Sequence, residues 1–292
     1  MSSTGVVLPT MSTRDRAPGD VVAAARHAED LGFESVWVVD QLIAGTGVPV
    51  LDSLTSLAAA AGATSRVLLG VGVLVLPLRS VVWVAKQVAS LQHISGDRLL
   101  LGVGVGGDRH DRSWAAAGVS PRDRGRLVDE ALGVLPSLIA GSPVDLGSGT
   151  VQLSPAATVP PIIVGGMSDA AVRRAAAFDG WFPIGGPSDI PALRQRVAKP
   201  LTTNAVVAVE GDPALPSRAS IIRSLVDPDG MFGFPASFAE EALVHGGPAE
   251  VGERLAAFEA DRVVITIAAG DWFRQAELLA EAAKLTEAAR AR

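Results

Sequence analysis

The chain has 292 residues and no cysteine, so it is long enough to bury a large core but has no disulfide framework, thiolate nucleophile or zinc–cysteine centre. Its formal net charge is -6, with no run rich in Lys and Arg, which argues against a nucleic-acid partner because phosphates demand a basic face. The opening residues MSSTGVVLP lack the charged and apolar regions of a secretory signal, and the apolar residues come in short pieces broken by Gly, Pro and charge. The chain therefore reads as a cytoplasmic protein with no membrane segment.

In chain order, residues 5–9 read as a strand, 21–31 as a helix stopped by Gly32, and 34–39 as a second strand ending at Asp40. Residues 51–63 follow as a helix with Asp52 or Ser53 as cap. Two apolar runs, RVLLGVGVLVLP at 66–77 and DRLLLGVGVGG at 97–107, flank one amphipathic segment. Runs apolar on both faces suit parallel strands covered on both sides, which need a helical crossover, so this stretch is one βαβ unit. A helix at 122–141, a small Gly/Ser-rich excursion at 146–153, a strand at 161–165 and a helix at 168–178 come next. Strands at 180–184, 202–209 and 263–268 and helices at 248–258 and 271–290 complete the reading. Residues 210–235, with Pro213, Pro216, Pro228 and Pro235 and no clear period, read as a lid or irregular excursion.

Eight strands alternating with helices fit an α/β chain folded as a single (β/α)8 TIM barrel over residues 1–292, better than an open sheet. Active sites of such barrels lie at the C-terminal ends of the strands. Pro9, Asp40 and residues 76–79, 106–110, 165–168 and 184–187 thereby become candidates. Asp40 is placed to hydrogen-bond a ligand ring or act in proton transfer, or else it simply opens a loop. His110 is the one histidine of four on a loop at that end; a solvated loop residue is its plainer reading. Gly102, Gly104 and Gly107 satisfy the GxGxxG spacing, but the charged loop DRHDRS follows instead of a helix, so a dinucleotide fingerprint is rejected. These glycines either bare the backbone for a flat ligand or let strands pack closely. PIIVGGMSDAAVRRAAA reads as strand, Gly-Gly turn and helix, placing first-turn amides near Gly165, Gly166, Met167 and Ser168, a geometry that binds phosphate. Ser168 or Asp169 as a mere cap is the alternative. HExxH, P-loop and GxSxG patterns do not occur, which disfavours metal and covalent hydrolysis.

The segments GVVLP, LGFESVWVVDQ, AAAAGATSRVLLGVGVLVLPLRS, AKQVASLQHISGDRLLLGVGVGG, PPIIVGGMSDAAVRRAAAFDGWFP and GGPAEVGERLAAFEADRVVI together resemble the luciferase-like monooxygenase superfamily, and within it the branch using the deazaflavin coenzyme F420. The resemblance covers nearly the whole chain. It implies a TIM barrel with an isoalloxazine-type ring at the strand ends, set against a third-strand bulge whose non-prolyl cis peptide would be Gly72-Val73. It further implies a phosphate site at Gly165, Gly166, Met167 and Ser168, and a ring edge and cofactor tail along Gly104, Val105 and Gly106. Asp40 matches the acidic residue beside the ring. Many deazaflavin members carry histidine where this chain has Gln41, and some dehydrogenases carry glutamate where it has Gly107, so His110, Asp108 or Asp111 would have to substitute. The implied activity is a deazaflavin-dependent oxidoreductase moving a hydride between the coenzyme and a small organic substrate, as a homodimer. An FMN-dependent monooxygenase and a non-catalytic cofactor-binding barrel are the alternatives.

Overall fold

The computed structural model describes residues 3–12, 17–107 and 111–290. Nine strands form one curled parallel sheet in the order β10-β9-β11-β1-β2-β3-β4-β7-β8. Its members are β1 (Ser3–Val7), β2 (Ser35–Val38), β3 (Leu68–Val75), β4 (Leu99–Gly104), β7 (Ile162–Gly165), β8 (Gly180–Phe182), β9 (Thr202–Val209), β10 (Leu243–Gly246) and β11 (Arg262–Ile267). An antiparallel pair, β5 (Val144–Asp145) and β6 (Thr150–Val151), forms the small excursion after the fourth large strand. All eight expected strands are present in the sheet, and the fold is that of an α/β TIM barrel.

The ends of the sheet meet unevenly. Trp181 of β8 bridges Leu201 in parallel, and its amide donates to the Pro200 carbonyl at 3.0 Å. Further along, β9 offers the same edge to β10, pairing Val206, Val207, Ala208 and Val209 with Leu243, Val244, His245 and Gly246, because β11 occupies its other edge as far as Val207. The barrel is thus closed by β8 at the bottom and widened by β10 at the top. The expected excursion at 210–235 is less irregular than its prolines suggest. It carries α8 (Arg218–Val226), capped by the Ser217 side chain, and leads into α9 (Ala236–Ala242) and β10.

The covering helices follow ordinary rules. Helix α1 (Val21–Leu31) is capped by Asp20, which accepts from the Ala23 amide, and it stops at Gly32 with φ 90°. It buries Val21, Ala24, Ala25 and Ala28, spaced along one face. Helices α2 (Ser53–Ala63), α3 (Val81–Ser95), α5 (Arg124–Ile139), α6 (Asp169–Ala177), α10 (Pro248–Ala256) and α11 (Trp272–Arg290) complete the outer layer, with short α4 (Asp111–Ala116) and α7 (Ile190–Arg196) between them. No helix among the described residues is long and apolar enough to cross a membrane.

Two faces of the same strands feed two cores. Val36 and Val38 pack outward against helices, whereas Trp37 between them joins Leu100, Ile163 and Val264 inside the barrel. Trp37 is fully buried and donates from Nε1 to Ser35 Oγ at 2.8 Å. Glycines make its place: a Cβ on Gly70 would lie 2.3 Å from the indole, and one on Gly5 2.5 Å. This plug supports what lies above it, through Phe182 packed edge-on at 5.7 Å.

Candidate functional site

A cavity of about 1540 Å³ opens at the C-terminal ends of the strands. One drug-sized ligand takes roughly 300–1,000 Å³, so the space suffices for a cofactor and a substrate together.

Its floor is shaped by a bulge. Strands β3 and β4 run in register through Val71 and Leu101, then resume at Leu74 and Val103, leaving one extra residue on β3. The Gly72-Val73 peptide in that bulge is cis. Val73 turns its side chain toward β4 and β7, and glycines on both strands receive it. A Cβ on Gly104 would stand 2.6 Å from Val73 Cγ2, and one on Gly165 3.0 Å from Cγ1. Gly102 is tighter still, since a Cβ there would lie 2.1 Å from the Val71 carbonyl oxygen. Part of the glycine pattern therefore serves packing. The pattern also bares the wall: Gly72, Gly104, Gly106, Gly107, Gly165 and Gly166 all line the cavity, and a Cβ on Gly107 would meet nothing within 4 Å.

Asp40 lines the cavity, and both its oxygens are engaged. Oδ2 accepts from the Val75 amide at 2.9 Å, just past the bulge; Oδ1 accepts from Ser53 Oγ at 2.7 Å and Arg79 Nη2 at 2.6 Å. The Arg79 guanidinium also donates to Asp52 at 2.9 Å. Burial works against the charge on Arg79, but the Asp40 and Asp52 carboxylates outweigh it and raise its pKa above the ordinary value. For Asp52, burial pushes upward while the Thr55 amide and Arg79 pull harder, so its pKa is lowered. One network thereby ties the end of β2, the cap of α2, the bulge and the turn at Leu76–Leu78.

Around the rim, Gly166 has φ 108°, its amide donates to the Phe182 carbonyl at 3.2 Å, and its carbonyl accepts from Trp181 Nε1 at 2.8 Å. That amide is thus already used, leaving the amides that follow it, which have no acceptor within the helix. Ser168 caps α6, accepting from the Ala171 amide at 3.2 Å. Neither Ser168 nor the exposed Met167 is among the cavity-lining residues, whereas Val105 and Gln41 are. Arg196, which sequence reasoning missed, donates to the Met167 carbonyl at 3.2 Å and pairs with Asp169 at 2.9 Å, bringing positive charge to this turn. His110 and Asp108 lie outside the described residues. The aromatic trio Phe232, Phe234 and Phe238 also lines the cavity; the spacing in FGFPASF was its only sequence signal.

Bare peptide beside a bulge, in a cavity this large, fits a flat tricyclic cofactor. The profile of the luciferase-like monooxygenase family matches residues 2–203. An uncharacterized protein of Mycobacterium tuberculosis is 35% identical over 160 residues, covering 52% of this chain and 55% of its own length. The chain thus spans about half the length of the curated relatives it matches. An F420-dependent glucose-6-phosphate dehydrogenase of Beutenbergia cavernae is 32% identical over 206 residues, 64% of this chain and 61% of that one. Limonene 1,2-monooxygenase of Rhodococcus erythropolis is 34% identical over 118 residues, 40% and 30% respectively. Among solved structures, an F420-dependent secondary alcohol dehydrogenase in complex with an F420-acetone adduct superposes with TM-score 0.79 at 17% identity, covering 98% of this chain and 99% of that one. The FMN complex of the oxygenating constituent of 3,6-diketocamphane monooxygenase from Pseudomonas putida gives 0.70 at 16%, covering 96% of each. These structural likenesses establish the barrel; with the profile spanning more than half the sequence, the chain belongs to the luciferase-like monooxygenase family.

Proposed function

We propose that this chain is a deazaflavin (coenzyme F420)-dependent oxidoreductase acting on a small organic substrate. The observation that carries the reading is the glycine-walled floor beside the β3 bulge, where Gly72, Val73, Gly104, Val105 and Gly106 meet Gly165 and Gly166 at one cavity. Bound there, the deazaflavin would donate or accept a hydride at its C5 position, chemistry that belongs to the cofactor. The protein's own share is binding and orientation. Its phosphate would take the amides after Gly166 at the start of α6, where Arg196 adds charge. The match to the F420-dependent relative of Beutenbergia cavernae over 206 residues and the likeness to the F420-dependent secondary alcohol dehydrogenase support the deazaflavin reading.

In this reading Asp40 is a positioning residue at the ring edge. Its carboxylate holds the Val75 amide and Arg79, and so fixes the bulge against which the ring lies. Gln41 beside it cannot exchange a proton near neutral pH. Proton transfer to or from substrate is assigned to His110, six residues after β4 in the chain.

An FMN-dependent monooxygenase is the second reading, favoured by the monooxygenase relatives and the FMN-bound structural neighbour. Titrating the purified protein with deazaflavin and with FMN, following ligand fluorescence, separates the two. Deazaflavin is expected to bind at least tenfold tighter; FMN binding without a deazaflavin response overturns the choice. Met167→Asp, which adds an anion at the start of α6, is expected to weaken whichever cofactor binds by about tenfold, and unchanged affinity removes the phosphate assignment.

A further inference from the structure

The cavity has two chemically unlike sides. Across the barrel from the glycine floor, its wall is made by Val206, Ile221, Phe232, Phe234, Phe238 and Val244. Phe234 sits 5.4 Å from Phe232 and 5.1 Å from Phe238, ring centre to ring centre, the last pair edge to face. Phe232 and Phe234 pack against a second small core of Val206, Ala208, Ile221, Leu225, Ala239 and Leu243, separate from the main one. The Phe234 amide donates to the Leu225 carbonyl at 2.8 Å, pinning the segment to the end of α8. All three phenylalanines keep part of their surface uncovered.

The charges on the lining make the contrast sharper. Asp189, Glu241 and Asp271 carry negative charge, and the carboxylate of Asp40 is matched by Arg79. Among the described residues, Arg254 is the one basic residue on the lining, and its guanidinium points at the carbonyls of Leu243 and His245, 3.3 and 3.5 Å away. An anion brought against the phenylalanine wall would lose its water to apolar side chains, and among the described lining residues Arg254 alone could meet its charge, against Asp189, Glu241 and Asp271. The neutral hydrogen-bonding groups on this side are few: Asn204 and Thr266 on β9 and β11, joined at 2.9 Å, and Ser220 and Ser224 of α8, a set that suits a hydroxyl or carbonyl on an otherwise apolar molecule.

We infer that the substrate side takes an uncharged, predominantly apolar molecule bearing an alcohol or carbonyl group, with Phe232, Phe234 and Phe238 as its specificity determinants. The same wall, with the carboxylates beside it, disfavours sugar phosphates and carboxylates. The inference rests on the reading above, in which the coenzyme occupies the glycine side.

The test uses full-length protein, with and without saturating deazaflavin, and the neutral fluorophore 1-aminoanthracene as probe. Displacement is measured with decan-2-one, decanoate and glucose 6-phosphate. Decan-2-one is expected to displace the probe at a concentration at least tenfold below that needed for decanoate, and glucose 6-phosphate not at all. Phe234→Ala is expected to weaken decan-2-one at least fivefold, with Phe234→Leu, which keeps an apolar filler should the alanine variant fold poorly, recovering most of the loss. Equal displacement by decanoate, displacement by glucose 6-phosphate, or no probe binding in protein that binds deazaflavin would each overturn the inference. Selective displacement by decan-2-one in protein that binds neither deazaflavin nor FMN would support the apolar side while removing the cofactor reading.

Discussion

Gly102 and Gly107 belong to one glycine-rich run and do different things. At Gly102 the space for a Cβ is taken by the Val71 carbonyl oxygen at 2.1 Å, which is backbone and cannot rotate away; at Gly107 nothing lies within 4 Å. Gly102→Ala is therefore expected to destabilise the protein by about 3 kcal/mol through overpacking. Gly107→Ala should stay within about 0.5 kcal/mol, the ordinary range for an exposed position. Urea denaturation of both variants checks this, and equal midpoints would mean that the β3 bulge does not press on β4. The sequence run showed that side chains were missing at the strand ends but not what filled their places. Val73 does so only because the bulge turns it toward β4 and β7, and a bulge leaves no composition signature of its own. Asp40 is similar: its position after an apolar run was readable, whereas its partners come from Ser53, Val75 and Arg79, brought together by the fold.

At the level of elements, the long strands were legible because both their faces are apolar, and the helices because capping residues and glycine stops bracket them. What was hidden lies between β9 and β11. Helix α8 buries Ile221 and Leu225, one turn apart, and flanking prolines mask so short a period. Strand β10 is a four-residue run that exists because β9 outlasts its pairing with β8. The connection after α8 is fastened to the loop after β2: Thr46 Oγ1 donates to Asp229 Oδ1 at 2.5 Å, the Thr46 amide donates to the Asp229 carbonyl at 3.1 Å, and Arg112 stands 3.8 Å from the same carboxylate. This latch bridges the side of the cavity that carries the phenylalanine trio to the side that carries Asp40. Asp229→Ala removes its side-chain half, worth about 1 kcal/mol locally. The amides of α8 should then exchange hydrogen several-fold faster while those of β1 to β4 stay unchanged. Uniform exchange across the chain would show that the latch does not govern this segment.

For the molecule as a whole, the start of β11 is clasped to the start of β2 at the foot of the barrel, opposite the cavity. Arg262, at the start of β11, donates from Nε and Nη2 to the two oxygens of Glu34 at 2.9 and 2.8 Å, spanning β1 to the start of β2. Its guanidinium carbon also lies 6.0 Å from the centre of the Trp37 ring, beneath the plug that supports the site. Burial raises the Glu34 pKa, but the Arg262 contacts dominate and bring it below the ordinary 4.5. A carboxylate with a depressed folded-state pKa stabilises the fold above its unfolded pKa, and that contribution is lost as pH falls through the folded value. Glu34→Gln keeps the shape and removes the charge. It should cost about 1 kcal/mol between pH 5 and 7, at the lower end for charge-assisted bonds because Glu34 is one-third exposed. The gap between wild type and variant should close as pH drops below about 4. Urea midpoints at pH 7, 5 and 3 read the effect directly; a gap that persists unchanged at pH 3 would mean that packing around Trp37, and not the ionised pair, holds the barrel floor together.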